Sequence, residues 1–264
     1  MVLWFRPQRL WRFADFFPHR SLALVARRSL LIMLWCLCSP KGGAGVSTLA
    51  TAIAGQLASS RPTTVLDVGG DVARIVGIDV VERDGFTDWL DSPTALGIDV
   101  LESLQVEVLP GLSIIPRGRK PVPSTPPVER LVEVAELRPE GSPDGVVIAD
   151  AGVVDDRAIS VASVLSATAD RTTLVTRACY LSLTRTRELA VAFDDVVEVV
   201  EGGRALRTID VEAIVGRPVV ARVPCDPAIA RAVDSGMTLT RPPRSLRRAA
   251  TDLISARIDR ELVG

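Results

Sequence analysis

Positions 41–48 have the sequence Lys41-Gly42-Gly43-Ala44-Gly45-Val46-Ser47-Thr48. This order is typical of a phosphate-binding loop, in which glycines let backbone N–H groups close around phosphate oxygens. Such a loop ordinarily ends Gly-Lys-Ser/Thr, where the lysine reaches the outer phosphates and the hydroxyl binds magnesium. Here Gly45 and Ser47 are in place, Val46 occupies the position of that lysine, and Lys41 stands at the front. Residues 41–48, called the P-loop below, therefore predict nucleotide binding with an altered set of phosphate contacts.

The segments on either side of the P-loop predict the strand and the helix that such a loop requires. Residues 30–38 form an apolar run that suits a strand buried on both faces. Residues 47–60 carry apolar side chains at helical spacing, and an apolar strand follows at residues 63–68. Together they predict a strand-loop-helix-strand unit.

Strand and helix patterns alternate through the rest of the chain. Further strands are predicted at residues 105–109, 112–116, 144–150, 172–176, 213–215 and 219–223, and helices at 86–90, 127–137, 158–167, 181–191, 227–234 and 244–262. This alternation predicts an α/β fold with a mainly parallel twisted sheet covered by helices on both faces, a Rossmann-like three-layer arrangement. Right-handed crossovers place ligands at the carboxyl ends of the strands, where the P-loop, Asp67 and Asp150 would converge. Residues 116–127, rich in Pro, Arg and Ser, are predicted to form a mobile loop.

Composition bounds the function. The chain has 264 residues and a net charge of −1, so it can form one α/β domain and lacks the global basic field of a DNA-binding protein. Only Lys41 and Lys120 are lysines among the 31 Lys and Arg residues. A lysine at the front of the P-loop is therefore informative, because ammonium and guanidinium groups are not interchangeable beside phosphate. The four cysteines show no metal-binding spacing or disulfide framework, which suits a reducing cytoplasm.

Residues 1–28 differ from the rest of the chain. They contain six Arg and one Asp, and seven of the 11 aromatic residues lie before position 36. Two interpretations stay open: a poorly ordered extension (or a start codon assigned too far upstream), and a segment that contacts an anionic membrane surface or a partner. We expect no export, because cleavage after the apolar run would remove the strand that positions the P-loop. The expected organisation is an extension at 1–28 and one domain at 29–264.

The P-loop resembles the deviant Walker A motif of the MinD/ParA ATPases, Lys-Gly-Gly-x-Gly-Lys-Thr/Ser-Thr, and the replaced second lysine resembles the CpaE/TadZ-like branch. The resemblance covers roughly residues 30–260. It implies that residues 41–48 bind ATP or ADP with Mg²⁺. It also implies that Lys41 is the signature lysine, which reaches across a nucleotide-sandwich homodimer to the partner's phosphates. The implied location is cytoplasmic, with peripheral contact at the inner face of the membrane as an open alternative.

Acidic residues are predicted to complete the site. Asp150 ends a hydrophobic strand in the Walker B arrangement and, with Ser47, is assigned to magnesium; the alternative is a capping role in the next turn. Asp67 matches the first aspartate of the family's Asp-x-Asp and is also assigned to the metal. The second aspartate, which orients the attacking water, falls on Gly69. Asp71 lies two residues late and is a weak catalytic candidate, with a solvated turn as the alternative.

Val46 and Gly69 both point to weakened hydrolysis. A charge pair at about 4 Å contributes up to roughly 4 kcal/mol at an effective dielectric near 20. Losing that charge and the water-orienting carboxylate should lower turnover by orders of magnitude, because phosphoryl transfer depends on positioning and charge stabilisation. The expected function is nucleotide-dependent dimerisation and partner binding in cellular positioning, at pilus or secretion machinery, the septum or the chromosome. The alternatives are a competent ATPase that uses Lys41 and Asp71, and a nucleotide-free pseudoenzyme scaffold.

Other residues have two interpretations each. Pro224 and Asp226 resemble the family's Val-Pro-x-Asp segment near the adenine and are predicted to bind nucleotide, or else to form a helix-entry turn with Asp226 as N-cap. Tyr180 follows a strand where the family contacts the base; packing is the alternative. Arg117, Arg119 and Lys120 are expected to lie in a solvated loop, with contact to a partner or DNA as the alternative. The last helix is expected to pack on the sheet rather than on a membrane.

Overall fold

The computed structural model describes residues 33–79, 83–94, 96–139, 142, 144–155, 159–189 and 191–263. The extension predicted at residues 1–28 and the start of the strand predicted at 30–38 lie outside them. The strands are β1 (Met33–Ser39), β2 (Thr63–Asp67), β3 (Val106–Leu109), β4 (Leu112–Ile115), β5 (Val146–Val153), β6 (Arg171–Arg177), β7 (Asp195–Val200) and β8 (Val219–Pro224). The helices are α1 (Val46–Leu57), α2 (Val72–Ile75), α3 (Phe86–Leu90), α4 (Ile98–Ser103), α5 (Val128–Glu133), α6 (Val161–Thr168), α7 (Tyr180–Glu188), α8 (Thr208–Val215), α9 (Pro227–Asp234) and α10 (Arg244–Val263).

The strands of the described residues form one sheet in the order β3-β4-β2-β5-β1-β6-β7-β8. Neighbouring strands are parallel except β3 and β4, which pair antiparallel around the turn at Gly111. Parallel strands with helical crossovers require helices on both faces. The prediction of a mainly parallel, helix-covered α/β sheet is confirmed.

The core occupies both faces of this sheet, and β1 shows why. Leu34, Cys36 and Cys38 of β1 belong to one buried cluster with residues of α3, α5 and α6. Trp35 and Leu37 belong to the other cluster, with α1 and α10. Because successive side chains of a strand point to opposite faces, a strand between two helical layers must be apolar at every position. The predicted packing of α10 on the sheet is confirmed, since Leu246, Ala250 and Leu253 are buried.

One predicted strand is wrong. Residues 213–215 lie in α8, whose Val211 is buried against the core while Ile214 and Val215 pack against it. A short apolar run does not distinguish a strand from a helix by itself. The strand that pairs with β8 is β7, which the sequence pattern did not reveal because it carries Asp195 and Glu198.

The loop predicted to be mobile, residues 116–127, is anchored at its start. Phe86 N–H donates to Pro116 O at 2.9 Å, and Thr87 N–H donates to Arg117 O at 2.7 Å. Arg119 N–H donates to the Asp88 carboxylate at 2.9 Å. These bonds tie the start of the loop to the first turn of α3, and that turn is fixed by the buried Phe86 and Trp89.

Candidate functional site

The P-loop connects β1 to α1 with two left-handed backbone positions, Gly43 (φ 75°) and Gly45 (φ 81°). Residues with a Cβ rarely adopt this conformation, so glycine is required for this path. No side chain of the described residues caps the start of α1. The first N–H groups of a helix have no partner within the helix, so they form a ready binding site for an anion.

The P-loop's two unusual positions have opposite environments. Lys41 is exposed, and its backbone carbonyl accepts a hydrogen bond from Ser39 Oγ at 2.7 Å. Val46 is only 6% exposed and packs in the same cluster as Trp35 and Leu37. The position that ordinarily carries the phosphate-binding lysine therefore contributes apolar packing and no charge.

Asp150, the acid assigned to magnesium, is fully buried on β5. Its Oδ1 accepts a hydrogen bond from Gly152 N–H at 3.2 Å, while its Oδ2 has no hydrogen-bond partner among the described residues. Burial raises the pKa of Asp150 to about 7; the Ser47 hydroxyl lowers this pKa and the nearby charge of Asp67 raises it. Such a carboxylate is poised to bind a cation that would favour its ionised form.

Asp67 is paired in register with Asp150 across β2 and β5, but its oxygens have partners. Oδ1 accepts from Gly70 N–H at 2.7 Å and Oδ2 from Ala73 N–H at 3.1 Å. Burial raises the pKa of Asp67, and the backbone hydrogen bonds oppose that rise. In this structure Asp67 shapes the turn into α2, and its assignment to the metal stays a prediction.

Gly69 and Asp71 lie on the same turn. A Cβ added at Gly69 would be 3.0 Å from Asp150 Oδ2, so any side chain here would face the Asp150 carboxylate. Asp71 is exposed and lies 3.7 Å from the Arg74 guanidinium. Its side chain is thus at the rim, and its catalytic role stays a prediction.

A cavity of about 720 Å³ joins these groups. Its wall contains the P-loop from Gly42 to Thr48, together with Gly69, Asp71, Arg74 and Arg117, and the apolar Val122 and Val153. This volume is in the range of small-molecule and cofactor sites. The structure thus brings the P-loop to the turn after β2, where the Cβ position of Gly69 is 3.0 Å from Asp150 Oδ2.

Several solved structures share the fold of this chain. A ParA family ATPase from Chlorobium tepidum matches with a TM-score of 0.66 and 19% identity over 85% of this chain and 98% of that chain. The fold is that of the ParA and MinD ATPases. MinD of Aquifex aeolicus, which has also been solved with MinC, matches with a TM-score of 0.68 and 16% identity over 86% of this chain and 97% of that chain. MinD of Pyrococcus horikoshii with Mg-ADP matches with a TM-score of 0.64 and 17% identity over 84% and 94%.

No protein-family model matches the chain, and the comparison with curated proteins found no match either. Within the described residues, no three His, Cys, Asp or Glu side chains are grouped so that they could hold a metal ion by themselves. The described helices also include none that is long and apolar enough to cross a membrane.

The three residues that were predicted to contact the nucleotide base, Pro224, Asp226 and Tyr180, do not line the cavity. Asp226 is the N-cap of α9, where its carboxylate accepts from Ala228 N–H at 2.8 Å and from Ser245 Oγ at 2.7 Å. The Ala228 bond is the main cause that lowers the pKa of Asp226. Pro224 is exposed at the end of β8, and Tyr180 is 75% exposed at the start of α7. The N-cap interpretation of Asp226 fits this geometry, while base contacts by Pro224, Asp226 and Tyr180 stay predictions.

Two arginines that the sequence analysis did not assign to the site contact it in the structure. Arg177, at the end of β6, donates a hydrogen bond to the carbonyl of Gly43 in the P-loop and forms an ion pair with Glu201. Arg117, after β4, lines the cavity. Arg177 ends a strand at the carboxyl edge of the sheet, and that position is a signal that sequence reasoning could have used. Arg117 carried no such signal, because its location depends on the anchored loop.

Proposed function

We propose that this chain is a MinD/ParA-like protein that binds ATP or ADP with Mg²⁺ and hydrolyses ATP slowly or not at all. The observation that carries the proposal is the pairing of a preserved P-loop with the unpartnered, buried Oδ2 of Asp150. A backbone cradle for phosphate beside a carboxylate that lacks a partner is the arrangement that a nucleotide with its metal would complete.

Magnesium fits the groups that are present. Ser47 lies in the first turn of α1, and its hydroxyl lowers the pKa of Asp150, so one hydroxyl and one carboxylate are available to the ion. Mg²⁺ in such sites keeps several waters and takes its remaining ligands from phosphate oxygens, so a dedicated cluster of acids is not required. Bound there, the ion would neutralise charge on the phosphates, and Asp67 would hold the adjoining turn in place.

Two features support slow or absent hydrolysis. Val46 places no cation on the P-loop, and Gly69 places no carboxylate beside Asp150. The remaining groups of the site would bind a nucleotide without hydrolysing it quickly, so that the bound nucleotide could control assembly. The output would then be dimerisation through Lys41 and binding of a protein partner, as MinD of Aquifex aeolicus binds MinC. We assign the chain to the CpaE/TadZ-like branch because of Val46, and to positioning of a polar or division machinery in the cytoplasm or at the inner membrane face.

A competent ATPase is the second candidate, and one observation favours it. Asp71 lines the same cavity as the P-loop, which supports a role for its carboxylate in orienting water. Asp71 is exposed and its ion pair with Arg74 is on the surface, so its side chain is only weakly fixed in one conformation. A scaffold that binds no nucleotide is the third candidate.

Titration calorimetry with ATP and ADP in the presence of Mg²⁺, followed by turnover measurements, tests the three. We expect wild type to bind both nucleotides with very slow turnover. Absence of binding would favour the scaffold, and fast turnover lost in Lys41→Ala and Asp71→Asn would favour the ATPase. Val46→Lys is expected to leave hydrolysis low, because Gly69 still provides no carboxylate. Restored hydrolysis in Val46→Lys would show that the remaining machinery is intact.

A further inference from the structure

Arg117 is the feature of the site that the proposed function does not use. It lines the same cavity as the P-loop. A Cβ added at Gly70 would lie 2.9 Å from Arg117 Cδ and 3.0 Å from Nη1, so the side chain lies directly over that glycine. Gly70 (φ 87°) leaves the space that the guanidinium occupies.

The backbone of Arg117 is held by α3 on several sides. Its carbonyl accepts from Thr87 N–H at 2.7 Å and from Thr87 Oγ1 at 2.8 Å. A Cβ at Gly85 would lie 2.2 Å from Pro116 O, so α3 approaches this backbone as closely as only a glycine permits. Arg117 therefore extends into the cavity from an anchored position.

The cavity wall contains two arginines, and their pairing differs. Arg74 has the Asp71 carboxylate at 3.7 Å. Arg117 has no ion-pair or side-chain hydrogen-bond partner among the described residues, although its neighbours Arg119 and Lys120 pair with Asp84 and Asp91. A half-buried guanidinium without a carboxylate is available to an anion from solution.

We propose that Arg117 binds the terminal phosphate of the nucleotide and supplies the positive charge that Val46 withholds. Gly70 and Gly69 connect the guanidinium to Asp150, since the Cβ position of Gly69 is 3.0 Å from Asp150 Oδ2. Arg117 and the P-loop line the same cavity. A phosphate chain anchored at the start of α1 would therefore extend into the space that the guanidinium borders. The inference rests on the proposed nucleotide binding and makes the site selective for a triphosphate over a diphosphate.

The test compares a non-hydrolysable ATP analogue with ADP, both with Mg²⁺, by titration calorimetry. Arg117→Ala is expected to weaken binding of the ATP analogue by roughly tenfold or more, the value of one hydrogen bond to a charged group, with much less effect on ADP. Arg117→Lys is expected to recover part of the loss, because the charge returns without the planar fork. Arg119→Ala is the matched control, two residues away and paired outside the cavity, and should bind both nucleotides like wild type.

The outcomes separate this inference from the proposed function. Equal binding of the ATP analogue by wild type and Arg117→Ala would overturn the inference and leave nucleotide binding intact. Equal weakening for ADP would overturn the assignment to the terminal phosphate. Absence of nucleotide binding by wild type would overturn both. Val46→Lys combined with Arg117→Ala provides a second measurement: it should recover affinity if the two positions serve the same phosphates. Thermal melting of each variant shows whether it is folded.

Discussion

At the scale of single residues, Asp150 concentrates the chemistry of the site. The carboxylate is completely buried, yet one of its oxygens has no hydrogen-bond partner among the described residues. A buried polar atom without a partner costs free energy, so this position lowers the stability of the ligand-free protein. Asp67 beside it adds a second acid whose pKa is also raised. The site is therefore expected to be more stable with a bound cation than without one.

Asp150→Asn is expected to stabilise the ligand-free protein at alkaline pH. Burial raises the pKa of Asp150 from 3.8 to about 7. Below about pH 4 the group is protonated in both the folded and unfolded states; the penalty develops between about pH 4 and 7 and is complete above pH 7. Removing the ionisable group should raise the free energy of unfolding by about 2–4 kcal/mol at about pH 8 and by little near pH 4. Urea unfolding at both pH values measures this.

The matched control for Asp150→Asn is Asp144→Asn, an exposed turn residue just before β5. It should change stability little at either pH. The same Asp150→Asn protein should lose the magnesium dependence of nucleotide binding. A loss of stability of equal size at both pH values would contradict this account of Asp150.

At the scale of elements, a hydrogen bond joins the P-loop to the carboxyl end of β6. Arg177 donates to the Gly43 carbonyl and pairs with Glu201, and Glu201 also pairs with Arg204. Gly43 has the left-handed backbone on which the loop's path depends. The carboxyl ends of β6 and β7 therefore help to fix the phosphate cradle between β1 and α1.

Arg177→Ala is expected to weaken the binding of ATP and ADP by similar factors, roughly tenfold, because it loosens the loop that both nucleotides share. This pattern differs from the ATP-selective loss expected for Arg117→Ala. Arg204→Ala removes the outer partner of Glu201 and leaves the bond to Gly43, so it should have little effect. Titration calorimetry on the three variants distinguishes the two arginines. A selective loss of ATP binding in Arg177→Ala would contradict the role in the shared loop.

Some strands and helices could be predicted from their own sequence and others could not. The apolar run at 30–38 and the helical spacing after the P-loop predicted β1 and α1, because both elements are buried among apolar neighbours. Strand β7 was missed because its acids face partners from elsewhere in the chain. Asp195 pairs with Arg171 of β6, and Glu198 accepts a hydrogen bond from Thr208 Oγ1 at 2.6 Å. These tertiary contacts offset the burial of charge, and local sequence does not reveal them.

The same limit applies to the site. The P-loop and Asp150 were predicted from their positions around apolar strands. In the structure Asp150 lies beside Gly69, which lines the same cavity as the P-loop. Arg117 was assigned to a solvated loop, or to contact with a partner or DNA, because nothing in residues 116–127 indicates the bonds to Thr87 and Asp88. The location of a residue that is fixed by contacts from a distant element cannot be predicted from the local sequence pattern.

At the scale of the whole molecule, residues 1–28 and the described domain have different charge. Membrane contact through this segment predicts that the full chain co-sediments with anionic vesicles and that a version starting at Arg28 does not, because the removed residues carry most of the basic and aromatic side chains near the start. Neutral vesicles are the control, since they should bind the full chain more weakly. Equal sedimentation of both versions would remove the membrane interpretation and leave that of a poorly ordered extension.

We expect the face that contains the P-loop to contact a second copy of the chain. Lys41 is exposed there without an ion-pair partner among the described residues, and Val122 and Val153 on the cavity rim are 40% and 47% exposed. If Lys41 reaches the nucleotide of a partner subunit, the ATP analogue with Mg²⁺ should produce a dimer in sedimentation velocity, while Lys41→Ala should remain a monomer that still binds nucleotide. Lys120→Ala is the matched control, because the only other lysine pairs with Asp91 at 3.0 Å and should leave the dimer unchanged. A dimer of equal strength in Lys41→Ala would contradict a role across the interface, because removing the charge would then have cost the assembly nothing.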